Sequence, residues 1–376
     1  MKDPCMSEEV KLHVLSRRQV AEGACYADWD ESVCAARPTP EKSAALMSNP
    51  LLHAEDEAMQ VIGTRGNRVI GRIDFVAGEL VVDGRPAPIL WGSAFYVPEA
   101  ERRSMMGAML LMKASGAFHT LGANGPSQMA LPLYEKLKWS KVPLQRWIGV
   151  RRSRSIVRRF IGEGLAGRAA RVAADIALSG VWAANSARLA VSGSGLRVRR
   201  MSEMPMEFDA LLRAMAARPG VRGHRSAEWM NWLLKSQFEA QRLHERALFL
   251  VESKGGSAAG YFLLKTKFYP VATHRAFPDL VLASLADWGG FEGDRFETST
   301  AVMLAMREAW RMGADALEVC IPPGTNSATM RSLGFMPAGV MSYMWRATRP
   351  SVLADDRYKA PEAWSMTYAD GENVPG

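Results

Sequence analysis

The chain has 376 residues, 48% of them hydrophobic, which is ample for two cores and too much for one ordinary domain. A charged fraction of 23% excludes a disordered chain, and a net charge of +8 favours anionic partners such as nucleotides, CoA, nucleic acid or a membrane surface without choosing among them. Four cysteines with no C-x-x-C pair and six scattered histidines exclude a disulfide framework and metal ligation.

His244-Glu245 begins like a zincin motif, but Leu248 stands where its second histidine belongs. The N-terminus lacks the apolar core of a signal peptide. The apolar stretch 176–191 is interrupted by Ser179, Asn185 and Arg188, so no transmembrane segment is expected and the protein reads as cytoplasmic.

Residues 1–58 carry few signals: a strand over 10–20, and a helix over 39–48 opened by Thr39-Pro40-Glu41. Strands are expected over 59–64, 68–75, 79–82 and 88–97, with turns at Arg65-Gly66-Asn67 and Asp83-Gly84. A helix over 101–115 puts Met105, Met109 and Met112 on one face and stops at Gly116. Residues 136–172 hold eleven Lys and Arg against Glu163 alone, with a helical pattern from Ile156. This segment reads as a basic helical linker with a solvated face, with a membrane-surface or RNA patch as the lesser reading.

The second half begins near Ser194. It reads as a strand over 196–200, helices over 206–217 and 226–238, and strands over 247–252, 259–266 and 280–286. An amphipathic helix over 298–312, a strand over 316–321, a short helix after Asn326 and a last strand over 341–346 follow. The expected fold is α+β, with mixed, mostly antiparallel sheets flanked by helices in α/β/α layers. The expected units are residues 1–150, a linker over 151–193, a second lobe over 194–350 and a tail over 351–376.

One pattern occurs twice. Residues 123–139 and 323–335 each follow a helix, a glycine and a short apolar strand, and each closes a short helix on Leu-x-aromatic. In the first half Val69-Ile70-Gly71, Leu80-Val81-Val82-Asp83-Gly84-Arg85 and Phe95-Tyr96-Val97-Pro98-Glu99 lead to Ala130 and Tyr134, an Ala-x-x-x-Tyr pair. In the second half Met312-Gly313-Ala314-Asp315 leads to Leu333-Gly334-Phe335. On these residues the chain resembles a tandem protein of the GNAT N-acetyltransferase superfamily. Its tail, with Trp364, Thr367 and Asp370, is similar to the ending of GNAT-like proteins associated with bacterial surface polysaccharides.

The resemblance implies acetyl-CoA or another acyl-CoA as substrate, held where two parallel strands splay apart, with backbone N–H groups at a helix start cradling its pyrophosphate. It implies an amine acceptor, here a small molecule such as an amino sugar in envelope glycan synthesis. Tyr134 would protonate the leaving thiolate, and Glu99 and Asp74 are the candidate bases. The cofactor contacts would come from Val97, Arg102, Arg103, Ser104, Met106, Gly107, Ala108 and Ser127. The family loop reads Arg/Gln-x-x-Gly-x-Gly/Ala. Starting it at Arg103 puts Met106 at the first glycine and Ala108 at the second, whereas starting at Glu101 puts Ser104 and Met106 there.

The second lobe offers Asp287-Trp288-Gly289-Gly290-Phe291-Glu292-Gly293-Asp294, three acids that suit a pyrophosphate poorly, with Met330 near the tyrosine position. Glu318 is a further buried-acid candidate. The second lobe would then supply an acceptor groove or be structural. Two other readings stand beside the acyltransferase. One is a non-catalytic binding or scaffold protein; the other is an aminoacyl-tRNA-dependent transferase of the Fem type, using the basic linker for RNA.

Overall fold

The computed structural model describes residues 9–21, 28–29, 40–52, 58–162, 164–236, 244–270, 277–291, 298–321 and 327–370. Cys5, Cys25 and Cys34, the loop 292–297 and Asn326 lie outside the described residues. In the first half the strands are β1 (Val10–Ser16), β2 (Ala58–Arg65), β3 (Arg68–Val82), β4 (Arg85–Tyr96), β5 (Thr120–Asn124) and β6 (Ser140–Val150). In the second half they are β7 (Arg197–Met201), β8 (His244–Glu252), β9 (Ala258–Tyr269), β10 (Leu280–Gly290), β11 (Ala316–Ile321) and β12 (Met336–Ala347).

The helices that matter below are α1 (Pro40–Met47), α2 (Met106–Ala117), α3 (Leu131–Lys136), α4 (Arg154–Phe160) and α5 (Leu165–Ser192). The second half adds α6 (Asp209–Ala216), α7 (Ala227–Lys235), α8 (Thr298–Arg311) and α9 (Ser327–Ser332). The strand expected over 10–20 stops at Ser16 and turns into the single helical turn Arg17–Ala21. The two strands expected over 68–82 are one, because Val76, Ala77 and Gly78 stay paired with β4.

The sheet runs β1-β2-β3-β4-β5-β12-β6-β11-β10-β9-β8-β7. Two halves of equal design meet at its centre, but their last strands are exchanged. Strand β12, from the end of the chain, pairs with β5 and β6. Strand β6, from the first half, pairs with β12 and β11. A cut at residue 150 therefore separates neither sheet. The sequence hid this because Ser140–Val150 lies inside the basic stretch, where a linker was expected. The alternation of buried Val142 and Leu144 with Lys141, Pro143 and Gln145 is a strand pattern, and Trp147 packs on the other face of the sheet.

Within each half, one helix covers the same face of the sheet. Helix α2 places Met106, Leu110, Leu111 and Ala114 against Ile73, Phe75, Leu90 and Leu121. Met106 lies over Gly63 and Gly71, where any Cβ would meet it at 3 Å or less, so a side chain at either position would displace it. The methionine face expected at 105, 109 and 112 is the outer one: Met105 and Met112 are exposed, while Met106 is buried. Helix α8 packs Ala301, Val302, Ala305 and Ala309 on Phe262, Leu285, Leu317 and Val319.

The tail seals the opposite face. Leu353, Tyr358, Trp364 and Met366 pack on Leu80, Trp91, Leu144 and Tyr343. Trp364 Nε1 donates to Tyr358 O at 2.7 Å, and Tyr358 Oη donates to Asp83 Oδ2 at 2.8 Å.

The tail ends in a buried charge cluster. Arg225, just before α7, donates to both oxygens of Asp287 on β10 at 2.7 and 2.9 Å and to Asp370 Oδ1 at 2.6 Å. Thr367 Oγ1 donates to Asp287 Oδ1 at 2.8 Å, and the Thr367 amide donates to Asp370 Oδ2 at 2.6 Å. Burial opposes the Arg225 charge, but Asp287 and Asp370 outweigh it and raise its pKa well above the ordinary value. Asp287 is therefore part of a strand and already neutralised; it does not belong to a phosphate loop. Gly223 is forced by the same cluster, since a Cβ there would lie 1.6 Å from Asp370 Oδ1.

Removing one partner of such a cluster leaves uncompensated buried charge, at a cost of about 3–5 kcal/mol. Arg225→Met is expected to lower the unfolding free energy from urea denaturation by about that amount and to loosen the tail. A denaturation curve unchanged from the parent chain would show that the cluster does not hold the fold.

Candidate functional site

Strands β4 and β5 run parallel, but they pair only at Leu90–Leu121, Trp91–Gly122 and Gly92–Ala123. Beyond Gly92, β4 continues to Tyr96 without β5. The parting coincides with a bulge, because Asp74 faces Ala94 while Phe75 faces Gly92, leaving Ser93 as the extra residue of β4. Ser93 Oγ is buried and makes no hydrogen bond among the described residues.

The parted strands open a cleft of about 340 Å³. Phe95, Tyr96 and Val97 form one wall; Ser127, Met129, Ala130 and Leu133 form the other. Gly107 and Ala108, in the first turn of α2, form the floor, with Arg102 and Met105 at the rim. No side chain caps the N-terminus of α2, and its first intrahelical bond runs from the Met109 amide to Met105 O. The amides ahead of it, with the helix dipole behind them, suit an anion. Arg102 Nε donates to Val97 O at 3.2 Å, so its guanidinium stands at the mouth of the cleft.

The backbone fixes the register of the loop. Met105 has φ of 64° and ψ of 12°, a left-handed conformation that favours glycine. Both alignments expected from the sequence put Met106 at a glycine position, whereas it is Met105 whose backbone favours glycine. Met106, expected to touch the cofactor, is instead buried in the core for the reason given above. Pro98, which sets the start of the turn Glu99–Arg102, was the signal that would have anchored the count.

Of the other expected residues, Val97, Arg102, Gly107, Ala108 and Ser127 line the cleft. Ser127 Oγ also accepts the Ala130 amide at 3.2 Å, turning the chain into α3. Arg103 is exposed and is not among the residues that line the cleft. Ser104 Oγ donates to Glu101, which in turn receives both guanidinium nitrogens of Arg65 at 2.7 and 3.0 Å. This knot pins the loop from behind; its members were not singled out for it beforehand.

The catalytic candidates are not gathered in the cleft. Tyr134 is 2% exposed, set edge-on to Phe95 and Trp139. It stands one ring behind the wall, and burial raises its pKa, so it keeps its proton at any working pH. Asp74 is buried beside Arg72, 3.3 Å away, and accepts from Gln60 Nε2 at 2.7 Å. Glu99 is exposed on the turn before the loop. In the second lobe Glu318 is paired with Arg146 and accepts from Ser284 Oγ at 3.2 Å, so it too is committed. Met330 is buried with Leu333 and Phe335 in the apolar core.

Solved structures share this layout. A GCN5-related N-acetyltransferase from Anabaena variabilis matches 90% of the chain over 73% of its own length, with a TM-score of 0.53 and 11% identity. The fold is that of the GNAT acyltransferases. Saccharomyces cerevisiae N-myristoyltransferase with bound myristoyl-CoA matches 92% of the chain over 85% of its own, with a TM-score of 0.51 and 13% identity. A probable N-acyltransferase from Enterococcus faecalis matches 90% over 73%, with a TM-score of 0.50 and 9% identity. No family model matches the sequence, and no curated protein matches it. The GNAT likeness is thus one of fold, at identities of 9–13%.

A methionine in the left-handed region costs about 1–2 kcal/mol, partly offset by the greater chain entropy of glycine. Met105→Gly is therefore expected to stabilise the chain by about 1 kcal/mol in thermal denaturation. Destabilisation by this change would contradict the backbone strain at Met105.

Proposed function

We propose that the first lobe binds an acyl-CoA in the β4–β5 cleft and transfers the acyl group to an amine. The observation that carries this reading is the cleft itself: two parallel strands parting at a bulge, above a free helix N-terminus, with an arginine at the mouth. The amides of α2 and Arg102 suit the pyrophosphate, while the apolar walls suit a pantetheine arm. In the transfer the amine nitrogen bonds to the acyl carbon, the thioester C–S bond breaks and the sulfur takes a proton. The nitrogen loses its proton to water, since no carboxylate is found among the residues that line the cleft.

Tyr134 is assigned to the sulfur's proton. It stands behind Phe95 on the cleft wall, and burial keeps its hydroxyl protonated. The acceptor is an amine of undetermined class. Trp364, Thr367 and Asp370, whose resemblance suggested an amino sugar, are engaged in holding the tail.

A binding-only role is the second reading, favoured by the Met105 side chain at the rim where a glycine would leave backbone bare. Titration calorimetry with CoA and acetyl-CoA separates the two readings. Binding at micromolar to submillimolar ligand is expected, lost in Arg102→Glu and kept in Tyr134→Phe. Tyr134→Phe should lower turnover of acetyl-CoA with an added amine by about 10²-fold or more, the usual worth of acid–base catalysis. No heat with either ligand would end the acyltransferase reading. Binding without thiol release for any amine tried would favour the binding role.

A further inference from the structure

Helix α5 runs 28 residues and buries Gly167, Trp182, Asn185 and Leu189 along one side. That side is fastened to the second lobe: Trp182 packs edge-on to Trp310, and Asn185 Nδ2 donates to Leu333 O at 2.8 Å. A helical repeat of 3.6 puts Leu165, Ala169, Val172, Ile176 and Ala183 on the opposite side. They face outward, with Leu165 85%, Val172 54% and Ile176 68% exposed. The corner between α4 and α5 continues the patch, with Phe160 73% and Ile161 54% exposed. Single exposed apolar residues are ordinary, but five large ones in one stretch of seventeen residues are not.

The patch is edged by positive charge. Between residues 151 and 192 the sequence has eight arginines and two acids, Glu163 and Asp175. Asp175 is engaged by Ser153, whose amide and hydroxyl both donate to it at 2.8 Å, and this contact sets α4 beside α5. Arg154, Arg159, Arg168 and Arg171 are exposed.

We propose that the outer face of α4 and α5 lies on an anionic lipid surface, with the aliphatic stripe in the acyl boundary and the arginines among the headgroups. Apolar burial and attraction to anionic headgroups are the two forces that hold such helices in the interface. No helix among the described residues is long and apolar enough to cross a membrane, so the helix lies flat. A second copy of the chain fits the face less well, because a twofold contact would set the same arginines against each other. RNA would use the arginines but leave Leu165, Val172 and Ile176 without a role.

The test is co-sedimentation of the full chain with vesicles of phosphatidylcholine, with and without phosphatidylglycerol, at low salt. Binding only to the anionic vesicles is expected. With roughly 1 kcal/mol per basic residue at such a surface, Arg159→Glu with Arg168→Glu should weaken it about thirtyfold or more. Val172→Glu with Ile176→Glu should remove it. All four positions are exposed, so circular dichroism and the thermal midpoint should match the parent chain. The proposal is overturned if the parent chain stays in the supernatant with anionic vesicles, or if either double variant sediments as the parent does. It is also overturned if the parent is a dimer that Val172→Glu with Ile176→Glu dissolves. The same holds if RNA retention is lost only in the arginine variant while vesicle binding is absent. CoA titration of the same variants reads the cleft separately.

Discussion

The structure depends on one ladder at its centre, the antiparallel pairing of β6 with β12. Each of these strands closes the other half's sheet. Strand β12 flanks β5, so one side of the cleft-bearing sheet is supplied by the end of the chain. Strand β6 flanks β11, so the second lobe rests on the first. Two lobes built this way cannot swing apart without breaking backbone hydrogen bonds on both sides of the centre. The basic helices α4 and α5 carry the chain outside this exchange, and the tail lies over its other face.

This arrangement gives the second lobe a task that needs no ligand. Its own parallel pair, β10 with β11, joins at Leu282–Ala316 through Leu285–Val319, and its polar groups nearby are committed. Asp287 holds Arg225, and Glu318 holds Arg146. Met330, Leu333 and Phe335 fill the core under α8. Among the described residues the first lobe carries an open cleft, and the second lobe braces it through the β6–β12 ladder. The charge cluster of Arg225, Asp287 and Asp370 ties the tail to the second lobe, while Asn124 Nδ2 donates to Asp370 O at 3.1 Å and ties it to β5.

Much of this was legible in the sequence. The doubled pattern at 123–139 and 323–335 marks the two halves, and the strand–helix–strand order marks the fold, because local periodicity reports local structure. The strand exchange was not legible, since periodicity shows which face of β6 is buried and says nothing about its neighbours. The loop register failed for a similar reason. Met105 and Met106 are the same residue type with opposite fates, one at positive φ on the rim and one in the core, and only the backbone separates them. Trp364, Thr367 and Asp370 were legible as a motif, but Asp287 and Arg225, the partners of Thr367 and Asp370, stand 80 and 145 residues away in the chain, so only the fold reveals the motif as a clamp.

Hydrogen–deuterium exchange with and without CoA tests most directly the claim that one lobe works and the other supports it. Added CoA should slow exchange at residues 93–97 of β4 and 105–109 at the start of α2, and leave the matching region of β10 and α8 unchanged. Protection at 284–290 and 298–302 without any at 93–109 would place the ligand in the wrong lobe and contradict the account.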